Sequence, residues 1–290
     1  MFYKKRNLLL LVNGILLSYS SLVVAKPLTI VDFRNKTITL KNRPQKIAAL
    51  MPAIADAFQA LGKSSSIIAA PEFTELKDHS FQKLGPYTQI SAEAVYATKP
   101  DLVIASKDGN FPQLITELER LKLPVIVLDS TSLESIIKSL EIITIITESD
   151  SSKVQELRSY IDKLKNKKNH KSQKVFFQLG LMPLVTVSKK TYIGEILELL
   201  GQKNIFSETN NPYPKPAIEA VIAENPEVIL ICPLTKEKEE VAEALRFWNR
   251  FQNVSAIKNH KIYSLKPDLL TRPGFLLMDA IRELEAVLNP

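Results

Sequence analysis

Two hydrophobic rhythms alternate along the chain. Residues 46–51, 66–70, 101–105 and 125–129 are short apolar runs, which read as strands buried on both faces. Between them, residues 53–61, 91–99 and 112–123 place apolar residues three and four apart, as helices do. Gly62 stands where a helix C-cap belongs, Ser91 and Glu93 open the second helix, and Pro100 closes it. Ahead of this alternation, residues 29–33 and 36–40 flank Arg34-Asn35 and predict a β-hairpin.

Residues 132–168 contain neither Gly nor Pro and predict one long helix, with a candidate break at Ser149-Asp150-Ser151-Ser152. Its basic end, residues 163–171, reads as a solvated helix terminus. Strand–helix alternation then resumes, with strands at 174–179, 228–232 and 261–265. Helices follow at 192–200 (closed by Gly201), 217–223, 236–247 and 275–288. The predicted fold class is α/β: two lobes with mostly parallel sheets joined by one long backbone helix. The boundaries are 26–131, 132–170 and 171–290.

An internal repeat supports two similar lobes. Residues 91–104 align without gaps on 217–230, with Glu93/Glu219, Ala94/Ala220, Val95/Val221, Ala97/Ala223 and Pro100/Pro226 identical. An acidic residue, Asp101 or Glu227, follows the Pro in each copy. The shared grammar is a short helix that stops at Pro and feeds a buried strand.

Composition changes the picture mainly at the N-terminus. The chain has 290 residues and a formal net charge of +7. Lys4, Lys5 and Arg6 precede an apolar run to about Val24, and Val23-Val24-Ala25 offers a cleavage site before Lys26. That is the pattern of a cleavable signal peptide over residues 1–25. Its removal takes away three basic and no acidic residues, leaving +4, too mild a charge to argue for nucleic acid. With Lys26 where a lipoprotein needs Cys, the mature protein is expected to be periplasmic and not a lipoprotein. The single Cys232 excludes an intrachain disulfide and a cysteine-clustered metal site; inside the apolar run 228–232 it reads as a buried thiol.

No G-x-G-x-x-G, G-x-S-x-G or H-E-x-x-H occurs. Unusual loop residues instead cluster after the predicted strands, where open α/β sheets bind ligands. They are Met51-Pro52, Pro71-Glu72-Phe73, Gly85-Pro86-Tyr87, Met182-Pro183, residues 211–214 and residues 268–273. Drawn from both halves, they suit the walls of an interlobe cleft for a large flat ligand.

The leading hairpin, the Pro44-x-Lys46-Ile47-Ala48-Ala49-Leu50 strand, and Ser91-x-Glu93 leading into Lys99-Pro100-Asp101-Leu102-Val103-Ile104-Ala105 carry a resemblance. So do the long mid-chain helix and Thr271-Arg272-Pro273-Gly274. Together they resemble the helix-hinged periplasmic solute-binding proteins that feed ABC importers of iron–siderophores, haem and vitamin B12. The resemblance covers essentially all of residues 27–290. Residues 105–110, 177–180 and 201–206 look most like the vitamin B12-binding branch.

The resemblance implies a binding protein rather than an enzyme, with no catalytic residues and no resident cofactor or metal. It implies ligand contacts at Pro52, Phe73, Tyr87, Tyr213, Asp268 and Arg272. It also implies docking of Glu93 and Glu219 on an ABC importer permease dimer. The expected partners are that permease and a small-molecule metal chelate, with a monomeric protein and no nucleic acid. The vitamin B12-binding branch carries Trp where this chain has Tyr87 and Tyr213, which keeps a corrinoid in view and leaves haem or a ferric siderophore open. An exported α/β enzyme using Glu72 and Asp268 is the alternative of a different class, and a surface adhesin a third.

Overall fold

The computed structural model describes residues 27–167, 172–233 and 238–289. The expected signal peptide and its cleavage site lie outside the described residues.

Strands β1 (Leu28–Val31) and β2 (Thr37–Leu40) form the expected antiparallel hairpin. Its turn closes around Asp32, whose carboxylate accepts from Arg34 N at 2.9 Å and Lys36 N at 3.2 Å. Asn35 takes the left-handed conformation (φ 59°) that Asn tolerates at low cost. The same carboxylate accepts from Val127 N at 3.1 Å, fastening the hairpin to the first lobe.

That lobe holds a parallel sheet in the order β5-β4-β3-β6-β7. The strands are β3 (Ile47–Ala49), β4 (Ile67–Ala70), β5 (Gln82–Lys83), β6 (Leu102–Ser106) and β7 (Val125–Leu128). Helices α1 (Pro52–Ala60), α2 (Ala92–Ala97) and α3 (Pro112–Arg120) connect them. Pro opens α1 and α3, where its missing N–H costs nothing, and the Ser91 side chain caps α2.

The second lobe repeats the plan as a four-stranded parallel sheet, β11-β8-β12-β13. Its strands are β8 (Lys174–Gln178), β11 (Lys203–Asn204), β12 (Val228–Ile231) and β13 (Ile262–Ser264). A small hairpin, β9 (Gly180–Leu181) with β10 (Leu184–Val185), follows β8. The helices are α6 (Tyr192–Leu199), α7 (Ile218–Glu224), α8 (Lys238–Trp248), α9 (Ser255–Lys258), α10 (Pro267–Leu270) and α11 (Leu277–Leu288).

The segment expected as one long helix with a candidate break at residues 149–152 is two helices, α4 (Leu133–Thr147) and α5 (Ser152–Lys165), parted at that break. Glu148 ends α4 in the left-handed conformation (φ 51°), and the polar residues after it reverse the chain. A capping box between Ser132 and Ser135 starts α4, and Glu195 from α6 accepts from Leu133 N at 2.6 Å. Helix α4 packs against α1 of one lobe and α6 of the other, whereas α5 packs on α6 and α11. The link between lobes is therefore α4, and α5 belongs to the second lobe.

Strand side chains alternate between two covers. In β6, Leu102 and Ile104 join a central core, while Val103 and Ala105 face α2 and α3. In β12, Val228 and Leu230 join the same central core, while Ile229 and Ile231 face α7, α8 and α9. That central core runs without interruption through Ile136, Leu140 and Ile143 of α4, so the two lobes share it.

Candidate functional site

The carboxyl ends of both sheets open onto one cavity of about 520 Å³, walled by both lobes and backed by α4. Apolar groups form much of its wall, among them Ile136, Leu140 and Ile143 of α4 and Ile193 of α6. Thr191 caps α6 by accepting from Gly194 N at 3.1 Å. A Cβ at Gly194 would collide with the Ser188 carbonyl, so glycine permits the close turn that delivers Tyr192 and Ile193 to the cavity.

Five of the six residues expected at the ligand line this cavity: Pro52, Phe73, Tyr87, Tyr213 and Arg272. Pro52 opens α1 just after β3, whereas Phe73 and Tyr87 arrive on the loops that follow β4 and β5. Tyr213 lies between β11 and α7, and Arg272 just past α10. The three aromatics stay open to solvent, Phe73 at 65%, Tyr213 at 44% and Tyr87 at 39%. Exposed aromatic faces on a concave wall are not spent on a core and are free to meet a ligand.

Asp268 does not line the cavity. Its carboxylate sits 3.9 Å from Arg272 Nε. Arg272 itself reaches across to the first lobe. Its Nη1 lies 3.3 Å from Asp56 Oδ2 on α1, and its Nη2 donates to the Phe73 carbonyl at 3.0 Å. Burial raises the Asp56 carboxyl above its ordinary pKa, and the Arg272 charge opposes that rise without cancelling it. Glu72 and Met182 also fall outside the cavity wall, so the two carboxylates of the enzyme reading do not meet there.

Several residues of the site were not singled out in the sequence. Asp108, between β6 and α3, accepts from the Ser106 hydroxyl and from the Ser130 hydroxyl, the latter at 3.0 Å on each oxygen. Asp129 accepts from Thr131 N at 2.8 Å and lies 3.3 Å from Lys107 Nζ. Burial works against its charge, but the Thr131 bonds and Lys107 outweigh that and hold it below its ordinary pKa. The Tyr192 hydroxyl donates to the Leu270 carbonyl, and burial lifts its pKa well above 10.0. Asn110 ties the site together from beneath, accepting from Ser106 N at 2.9 Å and donating to the Leu50 carbonyl at 3.2 Å. The signal for these residues is the repeat of polar residues just past β6 and β7, visible only once the strand ends are known.

Glu93 and Glu219 occupy equivalent places, in the first turns of α2 and α7. Both are exposed, neither lines the cavity, and among the described residues neither has a side-chain partner. The lone tryptophan, Trp248, is fully buried in the second lobe, where its Nε1 donates to Gln178 Oε1 at 2.6 Å.

Comparison with known proteins bears on this arrangement. A vitamin B12-binding protein of Vibrio campbellii is 28% identical over 247 residues, covering 83% of this chain and 88% of that protein. Among solved structures, the periplasmic vitamin B12 binding protein of Vibrio cholerae superposes with a TM-score of 0.73 at 24% identity. It covers 85% of this chain and 97% of that one. The periplasmic heme binding protein of the same species gives 0.70 at 20% identity, covering 85% and 99%. A two-lobed α/β fold around one cleft, and a match of residues 47–269 to the model for periplasmic binding proteins, place this chain in that family.

Proposed function

We propose that the protein is the substrate-binding component of an ABC importer, capturing a corrinoid between its lobes and handing it to the permease. The observation that carries this reading is the interlobe cavity, apolar at its back and edged by exposed aromatic rings from both lobes. Such walls suit the faces of a large flat macrocycle, which offers broad apolar area and few charges. Resemblance to vitamin B12-binding relatives over most of the chain favours a corrinoid over haem or a ferric siderophore.

Delivery rests on Glu93 and Glu219. Both carboxylates stand exposed at matching places of the two lobes and outside the cavity. A permease dimer offering one arginine pocket per subunit would engage both at once. The protein works outside the cytoplasm, released from its signal peptide before Lys26.

The absorption spectrum of protein purified from its native compartment tests the ligand. A corrin spectrum is expected. A Soret band or the charge-transfer band of a ferric siderophore would replace the corrinoid with that chelate.

A further inference from the structure

The cavity carries an acid that is not among the six residues the resemblance assigns to the ligand. Asp108 faces the cavity from the loop after β6. Its carboxylate is fixed by two hydroxyls from neighbouring strand ends, Ser106 and Ser130. Two donors leave acceptor capacity on its oxygens toward the ligand space. Among the described residues no cation pairs with it.

The rest of the cavity offers an anion little. Its wall contains no Lys and no His, and Arg272 is its one basic residue among those described. That guanidinium is already engaged by Asp56, the Phe73 carbonyl and Asp268. Lys107 stands beside Asp129 instead. The influence of Asp108 spans the cleft: burial first, and then the Asp108 charge, raises the pKa of Tyr213 on the opposite lobe.

We propose that Asp108 selects the ligand by charge, accepting N–H groups of a neutral or cationic chelate and repelling chelates that carry free carboxylates. This rests on the cleft being the ligand site, as proposed above. A corrinoid fringed with carboxamides supplies such N–H donors, whereas haem presents two propionates. Asp108 is exposed in the open cavity, and like charges brought together once a ligand covers it are a device against the wrong partner.

The test compares wild type, Asp108→Asn and Ser130→Ala by calorimetry at pH 7.5. The probes are cyanocobalamin, its monocarboxylic acid derivatives and haemin. Asn keeps the shape of the side chain and removes its charge. Asp108→Asn is expected to shift the affinity ratio of carboxylate-bearing to amide-bearing probes about 10-fold toward the former. Ser130→Ala, which loosens the carboxylate without removing its charge, should shift that ratio less. An unchanged or opposite shift in Asp108→Asn overturns the proposal. If wild type prefers haemin to cyanocobalamin, the corrinoid reading fails separately. Asp108 then stands if Asp108→Asn tightens haemin and falls if it does not. Binding of no probe by any of the three proteins overturns both readings.

Discussion

Cys232 shows how far a single residue can be read from its neighbours. Set in an apolar run, it is fully buried in the structure, and burial pushes its thiol up to about 12. An unfolded thiol titrates near ~8.5. A folded pKa raised above the unfolded value gives stability that is complete below ~8.5 and lost as pH climbs toward 12. Denaturant titrations should therefore show stability falling over that window, and Cys232→Ala should flatten this part of the slope. A thiol reagent at pH 8 should modify the protein only after unfolding; rapid labelling of the native state would contradict the burial. The cleft aromatics were legible for a related reason: Phe73, Tyr87 and Tyr213 sit in Pro-containing loops, where no helix or strand asks for a ring. Asp108 was not legible. In Lys107-Asp108-Gly109 it looks like an ordinary turn residue, and only the fold brings Ser130 to it. Asp268 was expected at the ligand, but the sequence around it does not reveal that it lies in the first turn of α10, outside the cavity wall and 3.9 Å from Arg272.

At the scale of elements, the repeat proved to be structural grammar. Lys99 and Asn225, each before its Pro, both adopt left-handed conformations with φ 53° and 50°. Proline disfavours the right-handed helical region for the residue before it. The following acids then do the same work. Asp101 N donates to the Lys46 carbonyl and Glu227 N to the Lys174 carbonyl, both at 2.8 Å. Their side chains accept from the backbone of the adjacent strand. Asp101 takes Gln45 N and Lys46 N at 3.0 Å each, and Glu227 takes Lys174 N at 2.8 Å. Asp101→Ala should cost roughly 1–2 kcal/mol in chemical denaturation and Glu227→Ala about half that, since one bond is lost instead of two. Equal costs would break the correspondence. The strands buried on both faces and the helices between them were readable because continuous and periodic patterns differ sharply. Strands β5, β9, β10 and β11 have two residues each and exist only through their pairing, so no local pattern announces them. The break between α4 and α5 falls at the candidate Ser149-Asp150-Ser151-Ser152, but the left-handed Glu148 that ends α4 carries no glycine-like signal, so the extent of the reversal was not readable.

As a whole, the molecule is two sheets sharing one apolar core through α4, with Arg272 and Asp56 meeting across the cleft. A shared core resists large rotation of one lobe against the other, because opening would expose packed side chains to water. Under the proposed docking, a permease reads the surface of both lobes at once. The Glu93→Ala/Glu219→Ala protein should keep its ligand affinity while associating more slowly with the permease. That deficit should shrink at high salt, as rim charges act on encounter. A normal association rate would remove both carboxylates from docking. Ligand capture between the lobes is decided by calorimetric titration of the exported protein with cyanocobalamin. One site per chain is expected, weakened by roughly 1–3 kcal/mol for each ring removed in Tyr87→Ala and Tyr213→Ala. Absence of binding, or a Tyr87→Ala/Tyr213→Ala protein that binds as wild type does, would contradict it.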